Sequence, residues 1–240
     1  MLKYFISCFI LLCSFVSIAQ NKELDTINTI KEIKRDSVGE FYNPKTYGLR
    51  IGFDLVKPVL SFSNDDIKGA EVVADYRINT RLYAAGEMGY TQRTIQEDYF
   101  NHTAKGTYLK LGVNYNLYTN WLDMDNETYL GVRYGTSIFN NELNNYKVYQ
   151  YGDYFDPKTG NGIKYNNLNA HWLELVAGIK VETFKNLFLG FMVSFSRLIT
   201  TNDPDNFKNT YSPGIGKISK TGAGANINYT ITYRIPLYKK

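Results

Sequence analysis

From Ala225 to Leu237 every second residue is apolar or aromatic. Ala225, Ile227, Tyr229, Ile231, Tyr233, Ile235 and Leu237 share one face, and Asn226, Asn228, Thr230, Thr232 and Arg234 share the other. A period of two over that length is a β-strand with unlike faces. Strands of soluble domains usually run about 5 or 6 residues, whereas a tilted strand crossing a bilayer needs about 9 to 11. This one stretch therefore restricts the chain to architectures built from long, two-faced strands. Pro236 has no N–H to give to a ladder and is expected to end the pairing, with Lys239 and Lys240 beyond it in water.

The same alternation recurs along the chain. Tyr47, Leu49, Ile51, Phe53 and Leu55 oppose Gly48, Arg50, Gly52 and Asp54, before a break at Pro58. Further apolar rows begin at Ala70, Leu82, Thr107, Thr128, Leu173 and Leu187, and end at Ile78, Tyr90, Leu117, Tyr134, Val181 and Phe195. With the closing stretch this makes eight strands. The connections near 57–67, 92–105, 140–169 and 198–222 are long, and those at 79–80, 120–126 and 184–186 are shorter. Alternating long and short links are those of a meander with long outer loops and short periplasmic turns. The reading is all-β: an eight-stranded antiparallel up-and-down transmembrane β-barrel spanning 47–240.

The first residues bear on compartment. Met1, Leu2 and Lys3 give a short positive start, the run from Tyr4 to Ile18 is apolar, and Ser17-Ile18-Ala19 supplies small residues before Gln20. This is the layout of a cleaved secretory signal peptide over 1–19, too short for a spanning helix of roughly 20 residues. Residues 20–46 are polar and mixed in charge and are expected to form a periplasmic leader with little structure. Cys8 and Cys13, the two cysteines of the chain, lie in the signal run, so an exported protein without disulfides is expected. Its composition, with 21 Tyr, 14 Phe and 19 Gly, suits long strands. The net charge of +4 is small and scattered, which argues against a nucleic-acid partner.

The less apolar face carries Arg50, Asp54, Glu71, Asp75, Arg77, Glu87, Lys110, Arg133, Glu174, Lys180 and Arg234, interleaved with glycines. In a soluble sandwich that face meets water; in a small membrane barrel it fills the lumen, where an eight-stranded ring has room only for side chains. Five acids against six bases predict a lumen network of salt bridges, because enclosed charges must be paired. Tyr47, Tyr90, Tyr115, Tyr118, Trp121, Tyr134 and Tyr238 fall near strand ends, as aromatic residues do at membrane interfaces.

Reactive chemistry is sparse. His102 and His171 have no second ligand at metal spacing, and no cofactor, metal or catalytic set is expected. Ser194 and Ser196 with His171 are the one candidate nucleophile–base pairing. Asp153, Asp156, Asp203 and Asp205 match no calcium-loop spacing. Tyr146, Tyr149, Tyr151, Tyr154 and Phe155 crowd the third long loop and are the expected partner surface.

The signal ending Ser17-Ile18-Ala19-Gln20, the polar leader, the eight alternating strands and the tyrosine-rich last strand, Tyr229 through Ile235, together resemble the small eight-stranded outer-membrane barrels of Bacteroidota, including families of unknown function. The resemblance implies outer-membrane lipid around the barrel and barrel-assembly machinery during biogenesis. The leading expectation is a plugged, non-enzymatic barrel that is structural or accessory to an envelope complex, possible links to secretion included. Alternatives are a narrow channel or solute-binding barrel, and a lipid-modifying enzyme of the outer membrane.

Overall fold

The computed structural model describes residues 45–96, 100–118, 124–147, 159–204 and 208–239. The expected signal peptide, and the leader up to residue 44, lie outside them. The strands are β1 (Thr46–Asp54), β2 (Ile67–Arg77), β3 (Leu82–Gln96), β4 (Phe100–Asn116), β5 (Glu127–Lys147), β6 (Thr159–Phe184), β7 (Leu187–Thr201), β8 (Tyr211–Ser212), β9 (Gly216–Lys217) and β10 (Ala223–Lys239), with one helix, α1 (Val56–Ser63), between β1 and β2. Eight of them form a closed antiparallel ring in the order β1-β10-β7-β6-β5-β4-β3-β2, and β8 and β9 make a small separate hairpin. Among the described residues no helix is long and apolar enough to cross a membrane.

The sides of the ring follow the alternation. Outward stand Phe53, Met88, Leu111, Leu130, Val132, Leu175, Phe195 and Ile227, with Leu175 64% exposed. Inward, and buried, stand all eleven charged residues expected for the lumen. A water-soluble barrel has the reverse arrangement.

Several boundaries differ from the sequence expectation. The expected loop at 92–105 is mostly ladder, since β3 and β4 pair from Leu82↔Tyr115 to Gln96↔Asn101. Much of 140–169 is ladder too, with β5 and β6 paired out to Lys147↔Thr159. Their outward residues there, such as Asn140, Glu142 and Lys164, are polar, so the apolar row that marks a strand in sequence stops before the strand does. The loop at 57–67 contains α1, and Pro58 is accommodated in its first turn, where an N–H has no intrahelical partner.

Pro236 does not end the ladder. It pairs with Gly48, and a bulge between Tyr47 and Gly48 lets pairing resume at Tyr47↔Tyr238 and Thr46↔Lys239. The register skips Leu237, so the extra residue belongs to β10, and Tyr47 is buried at 5% exposure by the ring of Tyr238, which stacks on it with ring centres 5.0 Å apart. Tyr90, Tyr115, Tyr118, Tyr134 and Tyr238 do face outward; Trp121 lies outside the described residues.

Candidate functional site

The lumen is a stack of side-chain layers, read most easily along β6 from the end of the short turns. At the rim, Asp125 accepts from Arg77 at 3.3 Å and also from Arg234. Arg234 reaches on to Glu182 at 3.1 Å, and Lys45 stands 3.9 Å from Asp125. Burial opposes the Asp125 charge, but the two guanidinium groups outweigh it and hold this carboxyl below the usual carboxylate range.

One layer up, Arg50 donates to Asp75 and to Glu127, each at 2.5 Å. Its guanidinium lies 4.8 Å from the Tyr83 ring centre and 5.1 Å from that of Phe188. Lys180 pairs with Asp75 from the opposite wall. An apolar layer of Tyr129, Val176 and Met192 follows.

Above it Lys110 bridges Glu87 and Glu174 at 3.2 Å each, and Arg133 donates to Glu87 at 3.3 Å. Arg133 also donates to Asn114 at 2.7 Å, and the Trp172 indole donates to Glu174 at 3.0 Å. Glu71 gathers Lys57 at 2.9 Å, Asn228 at 2.8 Å and the Tyr108 hydroxyl. Lys57, which comes from α1, also stands 3.3 Å from Asp54. Every lumen charge expected from the sequence thus sits in an ion pair or, for Asp54, also accepts backbone N–H groups from Lys57 and Tyr229.

Glycines set the width of this stack. Trp172 stands directly across from Gly135, Tyr108 from Gly89 and Tyr129 from Gly178. A Cβ on Gly135 would stand 2.1 Å from the indole, and one on Gly89 would stand 2.3 Å from the Tyr108 hydroxyl. Each ring therefore lies flat over a cross-strand glycine, which supplies the inward room and is shielded in return. The wide aromatic layers and the narrow charged ones fill the bore together. Between the Asp75–Lys180 and Glu87–Arg133 groups a cavity of about 20 Å³ remains, the space of about one water.

The loop end is closed from above by the segment after β7. Ile215 is fully buried against Tyr108 and Trp172, with Leu198 and Ile218 packed around them. The side-chain amide of Asn226 holds the segment by donating to the carbonyls of Gly214 and Ile215 at 3.2 and 2.9 Å. Nothing in the alternation of 198–222 announces this plug, and Asp125, Glu127, Glu182 and Lys57 were likewise missed. They sit in turns, in α1 or at strand ends, beyond the rows from which faces are assigned.

The candidate nucleophile–base pairing is split by the wall. Ser194 and Ser196 point into the lumen and their hydroxyls have no hydrogen-bond partner among the described residues. His171 is on the outer face, where its Nδ1 lies 3.0 Å from the Tyr134 hydroxyl. His102 is buried at the loop end, its Nε2 3.3 Å from the Thr210 hydroxyl. Asp203 accepts the backbone N–H of Asn209 at 3.2 Å, and no group of three potential metal ligands occurs among the described residues. Asp153, Asp156 and Asp205 lie outside them, as do Tyr149, Tyr151, Tyr154, Phe155 and the side chain of Tyr146. The Tyr146 backbone pairs with Phe100 and Gly160.

A family profile described as a domain of unknown function, DUF6048, matches residues 1–240. The chain belongs to the DUF6048 family. No curated protein matches it. Solved structures similar to this DUF6048 chain include Ail, the attachment invasion locus protein of Yersinia pestis, at 10% identity over 79% of this chain and 97% of that one, with a TM-score of 0.39. Neisserial surface protein A is 10% identical over 82% of this chain and 100% of its own, with a TM-score of 0.39. CarO2 of Acinetobacter baumannii is 10% identical over 81% and 100%, with a TM-score of 0.35. The barrel itself is established by the strand pairing, not by these likenesses.

Proposed function

We propose that the protein is a plugged outer-membrane barrel without enzymatic activity, serving as a structural or accessory component of the cell envelope. The observation that carries this is the inversion of its two faces: a continuous apolar exterior around a lumen of paired charges. Lipid solvates such an exterior, and in the bore each charge has a partner, so little is gained by admitting water. The signal-like first residues support export, with lipid and the barrel-assembly machinery as the partners met on the way. β5 and β6 run 21 and 26 residues, against about 9 to 11 for a crossing, so their hairpin stands well above the bilayer. That hairpin, with the tyrosine-rich stretch of sequence that joins its two strands, is the surface offered to an envelope partner.

The test is fractionation with gel mobility and conductance. The protein is expected in the outer-membrane fraction, migrating differently when unboiled, and silent in planar bilayers. Recovery as a soluble periplasmic protein would sink the membrane reading; a steady open pore from purified protein would replace it with transport.

A further inference from the structure

The barrel wall has a notch, and α1 fills it. β1 ends at Asp54, and its pairing with β2 reaches only Phe53↔Val72. Beyond that point β2 continues along β3 to Ile67, and β10 continues along β7 to Ala223. The loop-side halves of β2 and β10 therefore have no strand between them, and α1 packs against both. Side chains stand in for the missing rungs. The Ser61 hydroxyl accepts the backbone N–H of Gly69 at 2.9 Å, and Asp54 accepts that of Tyr229 at 3.1 Å.

The rotation of α1 is fixed from inside. Lys57 and Ser61, one turn apart, both address the barrel, Lys57 through Glu71 and Asp54. At about 3.6 residues per turn this sends Val59 and Phe62 to the far side. Phe62 is 93% exposed and Val59 47%. The helix holds no acid, and its one cation is turned inward. An apolar outer side without charge is the reverse of a helix facing water. Its neighbours on the wall, Phe53, Val72 and Ile227, are apolar and exposed as well, so α1 continues the apolar exterior of the strands.

We propose that α1 is a lipid-contacting surface: Val59 and Phe62 rest in the outer leaflet, at the boundary of head groups and acyl chains, in place of the missing half of β1. The proposal depends on the reading of the barrel as bilayer-spanning. It is tested on the full chain with Cys8→Ser and Cys13→Ser, so that Phe62→Cys carries the single thiol for a nitroxide label. In phospholipid vesicles, collision of the label with oxygen, which concentrates in lipid, is compared with collision with a water-soluble nickel chelate. Leu175→Cys on the barrel exterior and Lys220→Cys in the loop before β10 are the references. The ratio at Phe62 is expected to match Leu175 and to exceed Lys220 several-fold. A ratio matching Lys220, with Leu175 still in lipid, overturns the proposal alone. A Leu175 label that meets the nickel chelate as readily as Lys220 overturns the bilayer reading and the proposal with it. Val59→Cys, on the same side of the helix, repeats the measurement should Phe62→Cys fail to fold, and is read by the same outcomes.

Discussion

Replacing Arg50 with Met tests whether the lumen is dry. Arg50 is the cation shared by Asp75 and Glu127, at 2.5 Å from each. Asp75 keeps Lys180 when Arg50 is lost, so the cost falls on Glu127, which is 1% exposed. Removing one member of a buried pair typically costs about 3–5 kcal/mol, because an uncompensated charge stays behind. The Met side chain retains apolar contact with Tyr83 and Phe188, so the loss is mainly electrostatic. Adding Glu127→Gln removes the stranded charge, and the double variant is expected to regain about 2–3 kcal/mol, the upper range of couplings between groups in contact. The measurement is guanidinium unfolding of the protein folded in lipid vesicles, completed as a double-mutant cycle. A cost of less than about 1 kcal/mol for Arg50→Met, the level of a solvated pair, with no coupling to Glu127, would refute the dry-lumen argument.

Other expectations follow from single contacts. Gly135→Val places a side chain where Trp172 lies, since even a Cβ would stand 2.1 Å from the indole; a loss of about 1–3 kcal/mol and a changed near-ultraviolet dichroism of Trp172 are expected, and an unchanged spectrum would contradict the packing. Ile215→Ala weakens the docking of the plug by about 2–5 kcal/mol, to be read as faster proteolysis within 208–219 while the unboiled gel band is retained. Unaltered cleavage would mean that Ile215 does not hold the segment. For pH, the depressed carboxyl of Asp125 lends stability that is full above the unfolded value of about 3.9 and is lost as pH falls through its lower folded value. Asp125→Asn should therefore flatten the acid limb of stability measured by unfolding between neutral and acid pH, and a parallel limb in the variant would assign that limb to other groups.

The strands were legible where lipid and lumen impose opposite demands. β7 and the middle of β3 follow the expected alternation because their exposed rows are apolar, while their buried rows mix glycine, serine and Glu87 with lumen-filling Phe188, Met192 and Tyr83. The same rule fails where the outer solvent changes. Past Asn140 on β5 and up to Asn169 on β6 the ladder continues with polar residues such as Glu142 and Lys164 on the outer face while Leu143 and Leu168 stay buried, so the apolar row that marks an outer face is lost there. Tyr47 is buried because Tyr238 stacks on it across the closing seam, a contact that spacing along the chain does not show. α1 was hidden by Pro58, which ends a strand but is tolerated in the first turn of a helix. The charged lumen was legible as a set, since eleven ionisable residues on one face must be enclosed together. Its partners were not, because a pair such as Arg77 and Asp125 depends on how the ring closes, not on spacing along the chain.

The uneven lengths of the ladders fix an order of assembly. β5 and β6 are joined by one local connection and share rungs from Glu127↔Lys180 to Lys147↔Thr159, so their zipper can grow early at small entropic cost. Ring closure is the opposite case. It joins Thr46 to Lys239, the most distant partners in the described chain, through a β1 of only 9 residues whose ladder is interrupted by a bulge on β10. A contact of such sequence separation forms after local ones. The seam between β1 and β10 is accordingly the last part of the circle to knit, and its amide protons are the ones to exchange first when the finished barrel breathes.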